Sequence, residues 1–295
     1  MSNTIKILYE VFIKIAIKTD KYFFFSSLKT LYRYFKFQGL TFKGWGMTTT
    51  TVPPWTITNS KEIIKFEEIN NRLIQLIKDE KFIITQWGMK EEKNKKEEIK
   101  NFLLILDELK WRHLIVYFSI LLAKKFNQKE MNISECGVCD GLTIFYAINT
   151  LIKKDYDFKV YLYDSWKKME RKHLNEQELH HLDDYNYLNL NRTKKNLSDY
   201  SENLIFNIGH IPEVLTSSNN PNHLSWLHID LNSSMPTKEA LKFFYKKLNS
   251  KGVILFDDYG HKSYESTKLV VDDFFNNLDG QLIVFPTGQA MFIKI

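Results

Sequence analysis

Gly252-Val253-Ile254-Leu255-Phe256-Asp257-Asp258-Tyr259 is an apolar run that starts at a glycine and ends in two carboxylates. Its length and branched side chains predict a buried strand. An earlier run, Trp226-Leu227-His228-Ile229-Asp230, has the same form, and the stretch between the two reads as helix. A strand–helix–strand unit lays its strands parallel. Neighbouring strands lie about 4.8 Å apart, so acids at their carboxyl ends can converge on one ion or ligand. Open α/β sheets bind ligands at that edge.

The pattern extends in both directions. Asn132 to Cys136, Lys159 to Asp164 and Leu204 to Ile208 read as three earlier strands, each followed by a turn or a helical stretch. Gln281 to Phe285 and Ala290 to Ile295 suit a closing antiparallel pair, turned by Pro286-Thr287-Gly288. The fold class predicted is α/β: a Rossmann-like, doubly wound, mostly parallel sheet with a C-terminal antiparallel strand pair and a helical N-terminal extension. Phe102 to Lys125 is apolar at helical spacing and should pack on the sheet that follows.

At 295 residues, with 44% hydrophobic and 26% charged residues, the chain can bury a full core plus an extension. Residues 1–105 read as a helical and irregular extension, a lid or a dimerisation element, and residues 106–295 as the main domain. Glu91 to Lys100 is a mixed charge run of the kind a solvated helix face carries. Lys6, Lys14, Lys18, Lys21, Lys29, Arg33, Lys36 and Lys43 place much of the +6 net charge near the N-terminus. Such an arm could touch nucleic acid, an anionic membrane or an acidic partner, and nothing in the residues singles out nucleic acid. Within residues 5–18, Ile7, Leu8, Val11, Phe12 and Ile15 form an apolar stripe. That helix could lie on a membrane surface; packing on the protein itself or on a twin subunit is the favoured reading, which makes a homo-oligomer the expectation. No apolar run reaches the roughly 20 residues of a membrane span. Neither a secretory leader nor a disulfide framework is indicated, so a cytoplasmic location is expected.

The first strand-to-helix turn reads Glu135-Cys136-Gly137-Val138-Cys139-Asp140-Gly141. Its glycines let backbone approach a ligand, and the next helix offers its positive end. The spacing is not that of a dinucleotide-binding turn, and an acid at Glu135 would repel phosphate. Asp164 ends the second strand, where a carboxylate can hold ribose hydroxyls. An acid on each of the first two strands, with no phosphate loop, suggests S-adenosylmethionine, a nucleoside bearing a sulfonium cation. The Cys136-x-x-Cys139 spacing could mark a redox pair or half a zinc site. With no second cysteine pair, a plain glycine turn is preferred. Pro53-Pro54-Trp55 lacks a polar residue before the prolines and reads as a turn. His180-His181 with Asp183-Asp184 reads as a polar loop or helix face, and Trp111-Arg112 either reaches the rim of the site or anchors its helix.

From Glu135 to the C-terminus the chain resembles the class I S-adenosylmethionine-dependent methyltransferases, and within them the macrocin O-methyltransferase family. The resemblance rests on Glu135-Cys136-Gly137-Val138 with Gly141, on Asp164-Ser165-Trp166 and on Gly209-His210-Ile211-Pro212. It continues through His228-Ile229-Asp230, Pro236-Thr237, Gly252 to Gly260 and Pro286-Thr287-Gly288-Gln289. It implies methyl transfer to a hydroxyl of a sugar or small glycosylated metabolite. Glu135, Gly137, Gly141, Asp164, Ser165, Gly209 and His210 would bed the cofactor. Asp230, Asp257 and Asp258 would hold Mg2+ or another divalent cation, and carboxylates are the hard oxygen ligands that magnesium prefers. Consecutive strand residues point to opposite faces, so Asp257 and Asp258 can share an ion only if the strand ends between them.

Many members of that family carry a second acid two residues after the first, in the role of general base. This chain has Asn232 there, and an amide accepts no proton at neutral pH. Asp230, His261 and His228 are the remaining candidates, together with deprotonation to water. Two other functions stay open: an RNA or protein methyltransferase that grips a polymer with the basic arm, and a non-catalytic cofactor- or nucleotide-sugar-binding module.

Overall fold

The computed structural model describes residues 61–85, 95–126, 130–152, 157–216 and 219–295. The stripe of residues 5–18, the Pro53-Pro54-Trp55 turn and the start of the 91–100 charge run lie outside the described residues.

A seven-stranded sheet runs in the order β3-β2-β1-β4-β5-β7-β6. The strands are β1 (Glu130–Cys136), β2 (Asp157–Asp164), β3 (Leu204–Ile208), β4 (Leu224–Ile229), β5 (Leu248–Phe256), β6 (Gly280–Val284) and β7 (Ala290–Lys294). The first five pair in parallel, while β7 is antiparallel to both β5 and β6. This is the doubly wound sheet with the closing pair that the sequence pattern predicts. Chain order reverses beside β1, so the carboxyl ends of β1 and β4 flank the crevice where such sheets bind ligands.

Among the described residues, six α-helices flank the sheet: α1 (Lys61–Lys78), α2 (Lys95–Phe126), α3 (Leu142–Leu151), α4 (Leu190–Asn196), α5 (Ser234–Phe244) and α6 (Glu265–Phe275). Side-chain alternation sorts the core into two layers. Ile133, Trp226, Val253 and Leu255 join α1, α2 and α3 on one face. Leu227, Ile229, Ile254 and Phe256 join α5 and α6 on the other. Strands buried on both faces read as the near-continuous apolar runs seen in β4 and β5.

The α2 helix covers 32 residues, longer than the apolar stretch alone predicts. It docks on β4 where the Trp226 indole donates to Ser119 Oγ at 2.8 Å. Trp226 is fully buried, and truncating such a side chain to alanine costs about 3–5 kcal/mol. On α1, Phe66, Asn70, Leu73 and Ile77 recur at helical spacing on the buried face. Asn70 accepts a hydrogen bond from the Tyr146 hydroxyl of α3 at 2.7 Å. Residues 61–295 thereby form one compact unit, with α2 stretched across the sheet face that carries the odd-numbered end of β1 and the even-numbered end of β4.

Candidate active site

The site lies at the carboxyl edge of the parallel strands. Strand register brings its charged residues together. Glu135 pairs with His228 across β1 and β4, and Ile229 pairs with Phe256 across β4 and β5. Asp230 and Asp257 therefore leave adjacent strands on the same face, the one that α2 covers. The strand β5 ends at Phe256, and a turn begins at once. That break lets Asp258 swing to the same side as Asp257, against strict alternation. Carboxylate oxygens of Asp230, Asp257 and Asp258 lie within 4.8 Å of one another.

Three carboxylates this close need positive charge beside them. Arg112 supplies it from α2. Its guanidinium donates to Asp257 through a short contact with Oδ2, to the Asp257 carbonyl at 2.6 Å and to Asp258 Oδ1 at 3.1 Å. Gln289 on the rim of β7 donates to Asp257 Oδ1 at 2.9 Å. His228 Nε2 stands 3.7 Å from the same oxygen, an ion pair longer than a hydrogen bond. Burial works against ionisation of Asp257, but Arg112 and His228 outweigh it and hold this carboxyl far below the usual range. Burial raises Asp230 well above that range, and the charges of Asp257 and Asp258 add to the rise. Asp258 is raised for the same reasons, burial first and Asp257 next.

The donor set suits a hard divalent cation: three carboxylates, converging from two strands and a turn. Among the described residues, the guanidinium of Arg112 and the ring of His228 provide the neutralising charge there.

His228 is fully buried, and its Nδ1 lies 2.9 Å from Glu135 Oε1. Burial alone would favour a neutral ring, yet Asp257 and Glu135 on either side push it up to about 10. An imidazolium has no lone pair to accept a proton, so His228 is arranged to hold charge rather than to take a proton at neutral pH. Glu135 is equally buried, and its Oε2 has no hydrogen-bond partner. His261 is exposed, with Nδ1 accepting from Ser263 N at 3.2 Å. Asn232 adopts a positive φ of 52° and turns its amide onto Asp230 Oδ1 at 3.3 Å.

The glycine turn abuts the acids. Gly137 has φ of 88°, and a Cβ on it would fall 1.8 Å from the Asp230 carbonyl oxygen. Its lack of a side chain lets β1 and β4 end side by side. Gly141 caps α3 in the left-handed region. Asp164 braces the same turn from β2. Its Oδ2 accepts from Val138 N at 2.8 Å and Cys139 N at 2.9 Å, and its Oδ1 accepts from Trp166 N at 2.6 Å. The Trp166 indole and Thr193 Oγ1 both donate to the Cys139 carbonyl. Cys136 and Cys139 are free thiols that burial pushes well up, so no reactive pair sits in the turn. Ser165 follows Asp164 and bonds locally to Lys167. Gly209 donates to the Asp164 carbonyl at 2.9 Å, which leads His210 away from β3 along the same edge.

Sequence reasoning weighed Arg112 but did not place it among the acids. It also passed over two tyrosines. Burial raises the phenols of Tyr185 and Tyr264, and both feel the charges of Asp230 and Asp258. Tyr264 lies between His181, 5.0 Å away and stacked, and His261, 5.3 Å away. An aromatic wall thus stands beside the acidic cluster. His180 and His181 lie in a 3₁₀ turn, where His181 pairs with Asp184 at 2.9 Å, in keeping with a polar turn.

Residues 134–259 match the family described as "Methyltransferase domain". Comparison with curated proteins returns no match. Among solved structures, the O-methyltransferase NovP superposes with a TM-score of 0.54 at 17% identity, over 62% of this chain and 79% of its own. CalS11, a calicheamicin methyltransferase, superposes with a TM-score of 0.52 at 13% identity, over 80% of this chain and 94% of its own. At these identities the two structures speak for the fold. The family match spans the glycine turn, Asp164, Asp230 and the Asp257-Asp258 turn, so residues 134–259 are a methyltransferase domain on this Rossmann-like sheet, and the chain is an S-adenosylmethionine-dependent methyltransferase.

Proposed function

We propose that the protein is a magnesium-dependent O-methyltransferase of the macrocin O-methyltransferase kind, acting on a hydroxyl of a sugar or small glycosylated metabolite. The observation that carries this reading is the convergence of Asp230, Asp257 and Asp258 within 4.8 Å beside the glycine turn.

In this reading the turn from Glu135 to Gly141, with Asp164, Ser165, Gly209 and His210, beds S-adenosylmethionine along the ends of β1, β2 and β3. Asp230, Asp257 and Asp258 are the ligands of the cation. A divalent ion held there supplies a Lewis acid that lowers the pKa of an acceptor hydroxyl and fixes its direction. Transfer needs that oxygen in line with the sulfonium methyl, so placement does much of the catalytic work. The acceptor oxygen bonds to the methyl carbon as the carbon–sulfur bond breaks. Bound S-adenosylmethionine would leave as the neutral thioether, and the hydroxyl proton would go to a base. Asp230 is the nearest candidate acceptor by placement, at the end of β4 beside Asp257 and Asp258. Tyr185 and Tyr264 offer the apolar ring faces on which a sugar can lie.

NovP is an O-methyltransferase and CalS11 a calicheamicin methyltransferase; the first supports a hydroxyl acceptor and the second a natural-product one. Calorimetric titration with S-adenosylhomocysteine, with and without magnesium, followed by turnover on pooled sugars and glycosides, tests the reading. Cofactor binding with turnover that chelator abolishes is the expected result. Turnover unchanged in excess chelator would remove the cation from the scheme.

A further inference from the structure

A second cluster of ligand-type side chains lies at the outer edge of the sheet, beyond β2 and β3. Glu170 and His173 follow β2 with the spacing Glu-x-x-His, and His210 and Glu213 follow β3 with the spacing His-x-x-Glu. Ligand atoms of Glu170, His173 and His210 lie within 4.8 Å of one another. The two imidazole rings stack with centroids 4.5 Å apart.

The hydrogen bonding in this cluster is incomplete. His173 is 4% exposed, and its Nε2 lies 3.1 Å and 3.2 Å from the two Glu213 oxygens. Its Nδ1 is buried with no hydrogen-bond partner. His210 Nε2 is also buried without one, although Glu170 Oε1 stands 3.4 Å away. Each ring therefore keeps one unbonded nitrogen in a place water does not reach, which is costly unless something coordinates it. A carboxylate holding the other nitrogen, as Glu213 does for His173, is the usual way a ligating imidazole has its orientation fixed. The positive charge between the two glutamates comes from Lys172, whose Nζ lies 3.0 Å from Glu213 Oε1 and 3.5 Å from Glu170 Oε2. That side chain is 58% exposed, so it can move into water at little cost.

We propose that Glu170, His173 and His210, with Glu213 at the His173 ring, form a second divalent-cation site, of a chemistry distinct from the aspartate cluster. Two imidazoles and carboxylate oxygens select a borderline ion such as zinc over magnesium. An ion there would tie the segment leaving β2 to the segment leaving β3. Those segments start at Asp164 and Gly209, so the clamp would stiffen that edge of the sheet without touching the Asp230 group. The reading stands or falls independently of the acceptor and of the metal at Asp257, although it shares His210 with the proposed cofactor bed.

The test uses the full-length protein, stripped with chelator and titrated with zinc against a chromophoric competitor. A parallel titration with cobalt(II) reads the ligand-field absorption of nitrogen-containing, low-coordinate sites. The expected result is one equivalent of zinc whose affinity falls by more than about tenfold in Glu170→Gln and in His210→Ala. The same equivalent, with its cobalt spectrum, should persist in Asp257→Asn. Glu170 is half-exposed, so Glu170→Gln keeps the test decisive if a histidine variant misfolds, and circular dichroism checks folding in each. Binding lost in Asp257→Asn but kept in Glu170→Gln would overturn the proposal. So would the absence of any zinc uptake against the competitor.

Discussion

Glu135 on β1 and His228 on β4 stand opposite each other in register, and Glu135 Oε1 lies 2.9 Å from His228 Nδ1 with both side chains buried. The contact places one protonated ring beneath Asp257, whose oxygen is 3.7 Å from the far nitrogen. An acid at the end of β1 thus serves the aspartate cluster through a histidine relay of charge.

Replacing His228 with glutamine should leave Glu135 without its charged partner. Losing one member of a fully buried pair costs about 3–5 kcal/mol. At roughly 2–4 °C per kcal/mol for a domain of this size, melting should fall by about 10 °C. The pair also sets a pH dependence. His228 is raised in the folded state to about 10, above the roughly 6.5 of an unfolded histidine. Its stabilisation is therefore complete below about pH 6.5 and is lost as pH rises through about 10. Melting curves from pH 6 to 10 should decline in the parent protein and flatten over that window in His228→Gln. Equal slopes would count against the charge assignment.

Asp257→Asn should lower turnover by more than about 100-fold and leave affinity for S-adenosylhomocysteine within a few-fold. Asp257 is reached by Arg112, Gln289 and His228, whereas the glycine turn is braced separately by Asp164. Calorimetry and a turnover assay separate the two effects. A variant that loses cofactor affinity as well would show that the acids and the turn are one unit.

Gly137→Ala probes how closely the two halves of the site are packed. The added methyl would meet the Asp230 carbonyl at 1.8 Å, at a φ of 88°. Neither the contact nor the dihedral can be relieved without moving β1 or β4. Soluble yield should drop, and any folded fraction should bind S-adenosylhomocysteine at least about tenfold more weakly. Each 1.4 kcal/mol is a factor of ten, and a clash of this kind belongs to the large class of destabilising changes. Gly260→Ala, whose Cβ would stand 3.2 Å from its nearest neighbour, is the milder control.

The sheet was legible because buried parallel strands are continuous apolar runs. Trp226 to Ile229 and Val253 to Phe256 needed no context to be read as strands. The acids at their ends were legible for the same reason, since a carboxylate closing an apolar run has to emerge at the sheet edge. Residues 165–203 were not. Their order comes from distant partners: Glu178 accepts from Ser234 N, Ser233 Oγ and Ser266 Oγ, all far along the chain. No local pattern encodes such contacts. Arg112 was half-legible. It lies one and two turns before Val116 and Ser119, both buried, so helical spacing alone aims it at the sheet. What spacing cannot give is the height of α2 along β4, which the Trp226–Ser119 hydrogen bond sets.

That height makes Arg112 the most informative single substitution. Its guanidinium touches both Asp257 and Asp258, in the space a cation coordinated by the same oxygens would need. Arg112→Gln removes the charge and keeps much of the length. In chelator only the charge of His228 would then offset the three carboxylates, and stability should fall by about 3 kcal/mol. With magnesium the sign reverses. Oxygens no longer bonded to a guanidinium are better ligands, so the magnesium midpoint for recovering the melting temperature should shift to lower concentration than in the parent protein. Melting scans across a magnesium series in both proteins read this without an acceptor substrate. If Arg112→Gln instead needs more magnesium, the arginine cooperates with the ion rather than competing for its ligands, and the placement of Arg112 between Asp257 and Asp258 would have to change when the ion binds.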